Sequence, residues 1–260
     1  GEEPILSLPE RHNRILALLQ QFGSISVAQL AERFKVSEVT IRKDLSYLEQ
    51  QKKLYRTHGS AILISPYISD RHVNEKEKRN VAEKRAIGAF AASLIAQDDS
   101  IIIASGTTVT FLAREINPAG HLTAITASVP VTQILSQCPD VDVIQLGGIT
   151  RSSSVSVVGP FAEQMLRSFN CSKLFIGVDG IDTEFGLTTT NMLEASLNGA
   201  MIDAAQKVIV LADSSKFGRR GFSKICDLES VDRIITDSGV QSVYLDRLRE
   251  RGIEVTVVDV

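Results

Sequence analysis

The apolar pattern predicts an α/β chain in two parts: a small helical head ending in a β-hairpin, over residues 1–65, and a larger body built on a mostly parallel sheet, over residues 81–260. Three observations carry this. Apolar residues recur at helical spacing through the first fifty positions and then flank a glycine turn. Beyond residue 80, near-continuous β-branched runs alternate with helical stretches, as strands covered on both faces require. Charge is divided unevenly: residues 10–65 hold nine basic and five acidic side chains, a balance of +4 in a chain of net charge −3. A basic head on an acidic body is the charge layout of a module that meets phosphate.

The elements follow in order. Residues 10–22 carry Ile15, Leu16, Leu18, Leu19 and Phe22 on a helical stripe that Gly23 stops. Ser26-Val27-Ala28-Gln29 reads as a capping box opening a helix that buries Val27, Leu30, Ala31 and Phe34. Lys35-Val36 makes a turn, and Ser37 caps a second helix over 37–51. On that helix Ile41, Leu45 and Leu48 form the packing stripe. Val39, Lys43 and Ser46 point the other way, with Thr40 and Arg42 on the flanks. Lys52–Leu63 then reads as a hairpin turning at His58-Gly59, with Arg56 and His58 placed for phosphate or the minor groove.

A charged helix face is by itself an ordinary solvated surface. Two capped helices joined by a tight turn, followed by a basic hairpin, make a winged helix-turn-helix, whose second helix enters the DNA major groove. Ser37, Val39, Thr40, Arg42, Lys43, Ser46, Arg56 and His58 are therefore the candidate DNA contacts. Arg42 or Lys43 suits guanine O6/N7, Thr40 a phosphate or a base, and Val39 a thymine methyl.

Residues 66–80 are polar and read as a linker running into a helix at 83–95. Strands are expected at 101–104, 122–126, 141–146, 173–178, 207–212, 231–236 and 254–258. Helices are expected near 109–116, 130–137, 161–168, 193–205 and 241–250. Ligands of parallel sheets bind at the carboxyl ends of the strands, and the polar motifs fall there. Ser105-Gly106-Thr107-Thr108 follows a strand and opens a helix, a place for free N–H groups and hydroxyls to hold a phosphate. Gly147-Gly148, Asp179-Gly180 and Asp213-Ser214-Ser215-Lys216 follow three others, and Lys216 brings a cation to the same rim. Taken singly, each is also an ordinary turn or cap; their shared place is what points to a ligand.

Other classes find no support. No apolar stretch approaches the roughly 20 residues of a membrane helix, and residues 1–10 lack the basic and apolar regions of a secretory signal. Cys138, Cys171 and Cys226 are odd in number and far apart, so a reduced cytoplasmic protein without disulfides is expected. His12, His58, His72 and His121 match no metal motif; neither metal nor cofactor is expected.

The chain resembles a known family. VSEVTIRKDLSYLEQQKKLYRTHGSA (36–61) is similar to the N-terminal signature of DeoR-type bacterial transcription repressors. SGTT (105–108), LGG (146–148) with Arg151, VVGPFAE (157–163), KLFIGVDGID (173–182), GLTTTN (186–191) and LADSSKFG (211–218) resemble the blocks of its effector domain. The resemblance implies a winged-helix repressor whose body senses a phosphorylated sugar or related metabolite, with a fold similar to ribose-5-phosphate isomerase, glucosamine-6-phosphate deaminase and coenzyme A transferases. It implies an effector set of Ser105, Gly106, Thr107, Thr108, Thr126, Ser128, Gly147, Gly148, Arg151, Asp179, Gly180, Glu194 and Lys216. Against the family pattern, Ala104 replaces a common Asp, Ala127 a common Asn, and Asn198 a frequent basic residue.

The function expected is a sequence-specific DNA-binding regulator, a repressor of a carbohydrate-catabolism operon. Its partners would be double-stranded operator DNA and a phosphorylated effector, and its assembly a homodimer or homotetramer. The alternative is an isomerase- or deaminase-like enzyme carrying a DNA-binding head, for which Asp179, Glu194 and Asp213 are the candidate bases. Similarity of fold does not confer activity.

Overall fold

The computed structural model describes residues 6–22, 24–51, 53–57, 59–63 and 76–260. In the head, helices α1 (Leu8–Phe22), α2 (Val27–Phe34) and α3 (Glu38–Gln50) pack on a small antiparallel sheet of β1 (Ser24–Ser26), β2 (Leu54–Thr57) and β3 (Ser60–Leu63), in the order β1-β3-β2. The caps are those expected. Ser26 Oγ accepts from Gln29 N at 3.1 Å while Gln29 Oε1 accepts from Ser26 N at 3.0 Å, and Ser37 Oγ accepts from Thr40 N at 3.2 Å. Each such cap is worth about 1 kcal/mol. Lys35 closes α2 in the left-handed region, at φ 54°.

Ile15, Leu19, Leu30, Ile41, Leu45 and Leu54 are fully buried and form the head's core. Phe34, expected in that core, is only partly covered and lies at its margin. Strand β1 was not expected: three residues pair with Ser60–Ile62 because the wing returns beside the start of α2. His58 and residues 66–75 of the expected linker lie outside the described residues.

One polar network ties the head together. Arg11 Nε and Nη2 donate to Asp44 at 2.5 and 3.0 Å, and His12 Nε2 lies 3.0 Å from the same carboxylate. All three residues are buried, so α1 grips α3 through a charge pair as well as through apolar contact. His12 also stacks on Tyr47 of α3, ring centroids 5.1 Å apart.

The body holds a seven-stranded, wholly parallel sheet. Its strands are β4 (Ser100–Ile103), β5 (Leu122–Thr126), β6 (Val141–Gln145), β9 (Cys171–Gly177), β12 (Ala205–Leu211), β14 (Arg233–Asp237) and β15 (Glu254–Val258), in the order β15-β14-β12-β9-β4-β5-β6. Successive residues of the central strands face opposite layers. Ile101, Ile103, Phe175 and Ile209 join the core under α4 (Val81–Ser93), α5 (Thr107–Glu115) and α6 (Val129–Leu135). Ile102, Leu174, Ile176, Val208 and Val210 join the core under α7 (Pro160–Leu166), α8 (Met192–Asp203) and α9 (Ser242–Glu250). Burial of both faces explains the continuous apolar runs.

Two further elements escaped the sequence reading: a hairpin of β7 (Ile149–Arg151) and β8 (Ser156–Val158), and an antiparallel sheet of β10 (Gly180–Asp182), β11 (Gly186–Thr189) and β13 (Ser223–Cys226). Head and body touch where Ser24 Oγ meets the Gln241 amide at 3.2 Å, and Gln241 Nε2 donates to Ser24 O at 3.4 Å.

Burial pushes the Asp44 carboxyl up, but hydrogen bonds and charge from Arg11 and His12 outweigh it and hold the group below its ordinary value. A depressed carboxylate stabilises the fold above its unfolded value of about 4, and that stability is lost as pH falls toward the folded value. Asp44→Ala is expected to cost about 3 kcal/mol, because it leaves Arg11 buried and unpaired. Asp44→Asn should flatten the acid limb of stability below about pH 4 relative to wild type; chemical denaturation of the full chain across pH, followed by circular dichroism, measures both.

Candidate functional site

Two surfaces gather the residues singled out above. The first is the outer face of α3. Val39, Arg42, Lys43, Ser46, Tyr47 and Gln50 line one shallow open groove along it, with Val39 59% and Tyr47 51% exposed. Tyr47 and Gln50 were not among the expected contacts, although they lie four and seven residues beyond Lys43 and share its face. Ser37 and Thr40 sit at the N-terminal end of the helix, their hydroxyls 3.0 Å apart. Arg42 forms an exposed pair with Glu38 at 2.9 Å. Such a pair contributes little, so phosphate or a base edge can recruit the guanidinium. Arg56 of the wing donates through Nη1 to Ser46 Oγ at 2.7 Å, and its N–H to Glu49 at 3.2 Å, so the wing is fixed beside the helix.

The second surface is a cleft in the body, placed by topology. From β4 the chain steps outward to β5 and β6; it then returns to β9 and steps the other way to β12, β14 and β15. The sheet therefore reverses its winding between β4 and β9, where the loops leaving the strands part and open a crevice. Ser105, Gly106, Thr107 and Thr108 come from the end of β4, Asp179 from the end of β9, and Lys216 from the end of β12; all line the cleft, as does Glu194 at the start of α8. Gly106 adopts φ 138°, a conformation L side chains rarely take, which lets the chain swing from β4 into α5.

The remaining expected residues stand back from it. Thr126 is fully buried and its Oγ1 accepts from Ser128 N at 3.0 Å, while Ser128 caps α6 through Val131 N at 3.2 Å. Gly147 and Gly148 are exposed at the start of the β7 hairpin, and Gly148 packs tightly on the Val158 carbonyl. Gly180 packs against Arg219 and Thr188. Arg151 lies one step behind the cleft, 3.7 Å from Glu194 and donating to Ser153 at 2.6 Å. Ala104 and Ala127 are buried in the apolar core, whereas Asn198 lines the cleft.

The cleft also contains residues outside the expected effector set. Ser153 and Ser154 enter from the β7–β8 hairpin, Thr189 from β11, and Lys76 from the segment before α4. Lys76 Nζ donates to Asp179 Oδ1 at 3.0 Å, and Thr189 Oγ1 donates to Asp179 Oδ2 at 2.8 Å. Burial pushes the Asp179 carboxyl up, yet Lys76 and Lys216 prevail and hold it below its ordinary value. Lys84 of α4 is 3% exposed. Burial first, and then the charge of Lys216, bring its ammonium down to about 8. Three lysines thus gather around the carboxylates of Asp179 and Asp213, with hydroxyls between them. This arrangement suits an anion bearing hydroxyl groups. Among the described residues no group of His, Cys, Asp and Glu could hold a metal ion, and no helix is long and apolar enough to cross a membrane.

Comparisons with known proteins cover both head and body. Residues 11–67 match the DeoR-like helix-turn-helix domain, and residues 79–238 match the DeoR C terminal sensor domain. An HTH-type transcriptional regulator of Bacillus subtilis (strain 168), YulB, is 39% identical over 249 residues, covering 96% of each chain. The lactose phosphotransferase system repressor of Streptococcus mutans is 36% identical over 232 residues, covering 88% of this chain and 91% of that one. Ribose 5 phosphate isomerase A from Neisseria gonorrhoeae overlaps 52% of each chain, with 16% identity and a TM-score of 0.35. With a helix-turn-helix head, a sensor-domain body and a transcriptional regulator matched along nearly its whole length, the chain belongs to the DeoR family of transcriptional regulators.

Proposed function

We infer that the protein represses a carbohydrate-catabolism operon and that a phosphorylated sugar or a closely related metabolite releases it. The observation that carries this reading is the cleft at the β4/β9 crevice, where Thr107, Thr108 and Lys216 face the Asp179 carboxylate. Cations and N–H groups there suit the phosphate; Asp179, Glu194 and Asn198 suit sugar hydroxyls. The name of the Streptococcus mutans relative, a repressor of a sugar phosphotransferase system, points the same way.

The mechanism is linkage. A homodimer or homotetramer of bodies presents paired heads to two half-sites. A ligand that prefers one head arrangement shifts the population toward it, and does so only by its difference in affinity for the two. Ser37 at the cap of α3, Val39, Thr40, Arg42, Lys43 and Ser46 along it, and Arg56 on the wing meet DNA, as does His58.

A thermal-shift screen of phosphorylated sugars, polyols and sugar acids identifies the effector, since a ligand selective for the folded state raises its apparent stability. Lys43→Ala should weaken operator binding and, as a phosphate contact, lower the log–log salt slope by about 1; unchanged binding would remove Lys43 from the interface. Thr107→Ala combined with Lys216→Ala should abolish release by the effector in an operator-binding titration. A retained response would place the effector elsewhere.

A further inference from the structure

Lys76, where the described chain of the body begins, is part of the cleft. Twelve residues separate Leu63, the end of the wing, from Lys76. From Lys76 onward the chain is pinned across the carboxyl ends of β9 and β12. Lys76 holds Asp179 at 3.0 Å, Asn80 Nδ2 reaches Asp213 Oδ1 at 3.4 Å, and Lys84 Nζ donates back to the Lys76 carbonyl at 2.5 Å. Glu77 adds an ion pair to Arg114 of α5. Asn80 takes a left-handed conformation, φ 50°, which turns its side chain toward Asp213 as α4 begins.

Two features make this strap responsive rather than a fixed brace. The first is charge. Lys76, Lys84 and Lys216 outnumber Asp179 and Asp213 by one, while Glu77 and Glu194 are matched by Arg114 and Arg151. The cluster therefore favours a further negative charge, and any anion arriving beside it competes with Asp179 for a lysine. The second is space. The cleft holds about 60 Å³ of free volume, below the roughly 150 Å³ of a protein cavity that accepts benzene. The cleft is narrow but open to solvent, so a ligand of sugar-phosphate size meets the side chains at its mouth. The other walls belong to strand ends, helices and the β7–β8 hairpin of the body; Lys76 alone comes from the chain leading to the head, and its side chain is a quarter exposed.

We propose that an anionic group entering the cleft, a phosphate or phosphate monoester, takes Lys76 from Asp179 and so loosens residues 76–84 from the body. The effector then acts directly on the chain that leads to the DNA-reading head. This rests on the anion-sensing reading of the same cleft. It adds the residue that the ligand moves.

Inorganic phosphate titrated into the full-length protein, by calorimetry and by hydrogen exchange, tests it. Phosphate should bind Lys76→Gln about tenfold more weakly than wild type, and Lys76→Arg should recover most of the loss. Asp179→Asn, which removes the competitor but keeps the Thr189 bond within reach, should bind phosphate several-fold more tightly. Bound phosphate should speed amide exchange over residues 76–84 in wild type and leave Lys76→Gln unchanged. Equal phosphate binding by Lys76→Gln and wild type, weaker binding by Asp179→Asn, or unaltered exchange at saturating phosphate would overturn the strap while leaving an anion site in place. Failure of wild type to bind either phosphate or ribose 5-phosphate would overturn the anion-sensing reading, and the strap with it.

Discussion

The parallel sheet of the body constrains everything built on it. Every strand from β15 to β6 runs the same way, so every loop that follows a strand emerges on one rim. Polar groups scattered over more than a hundred residues of sequence are thereby brought together at the single crevice where winding reverses, between β4 and β9. Ser105–Thr108, Asp179 and Asp213–Lys216 are distant in the chain and adjacent in space for this reason alone. Apolar burial on both faces holds the sheet, with Ile101 and Ile103 on one side and Ile102 on the other. The core therefore supports the site without supplying any of its chemistry.

The head solves a different problem. A helix with an open face must leave that face free while remaining rigidly seated. Helix α3 does so by dividing its faces: Ile41, Leu45 and Leu48 are buried, and Val39, Arg42 and Lys43 are exposed. Asp44 sits on the buried side and is gripped by Arg11 and His12. This charge pair orients α3 more sharply than apolar contact can, because hydrogen bonds are directional and packing is less so. Arg56 on Ser46 continues the same fixing into the wing.

Local chemistry was legible in the sequence, and long-range pairing was not. The Ser26–Gln29 capping box and the Ser37 cap are settled by four residues each, and both stand where they were read. The seven strands of the parallel sheet announced themselves through apolar, β-branched runs. Strands β7, β8, β10, β11 and β13 have three or four residues each and include Gly, Ser and Thr. Their existence depends on partners that no local window contains. The same division runs through the cleft. Motifs at strand ends led to Ser105, Thr107, Asp179 and Lys216. Thr126 and Ser128 share that position but spend their hydroxyls on local capping. Lys76 read as part of a polar linker, and only the tertiary fold brings it to Asp179. Asp44 is likewise a partner that only the tertiary fold supplies, where α1 covers α3.

The central claim is that a basic head grips duplex DNA and that occupancy of the body's cleft changes that grip. Fluorescence anisotropy of the full-length protein on its own promoter fragment and on random duplex, at moderate ionic strength and with phosphorylated sugars titrated in, measures it most directly. The account predicts tighter binding to the promoter and its loss at saturating effector. Equal binding to both duplexes, unmoved by any metabolite, would contradict it.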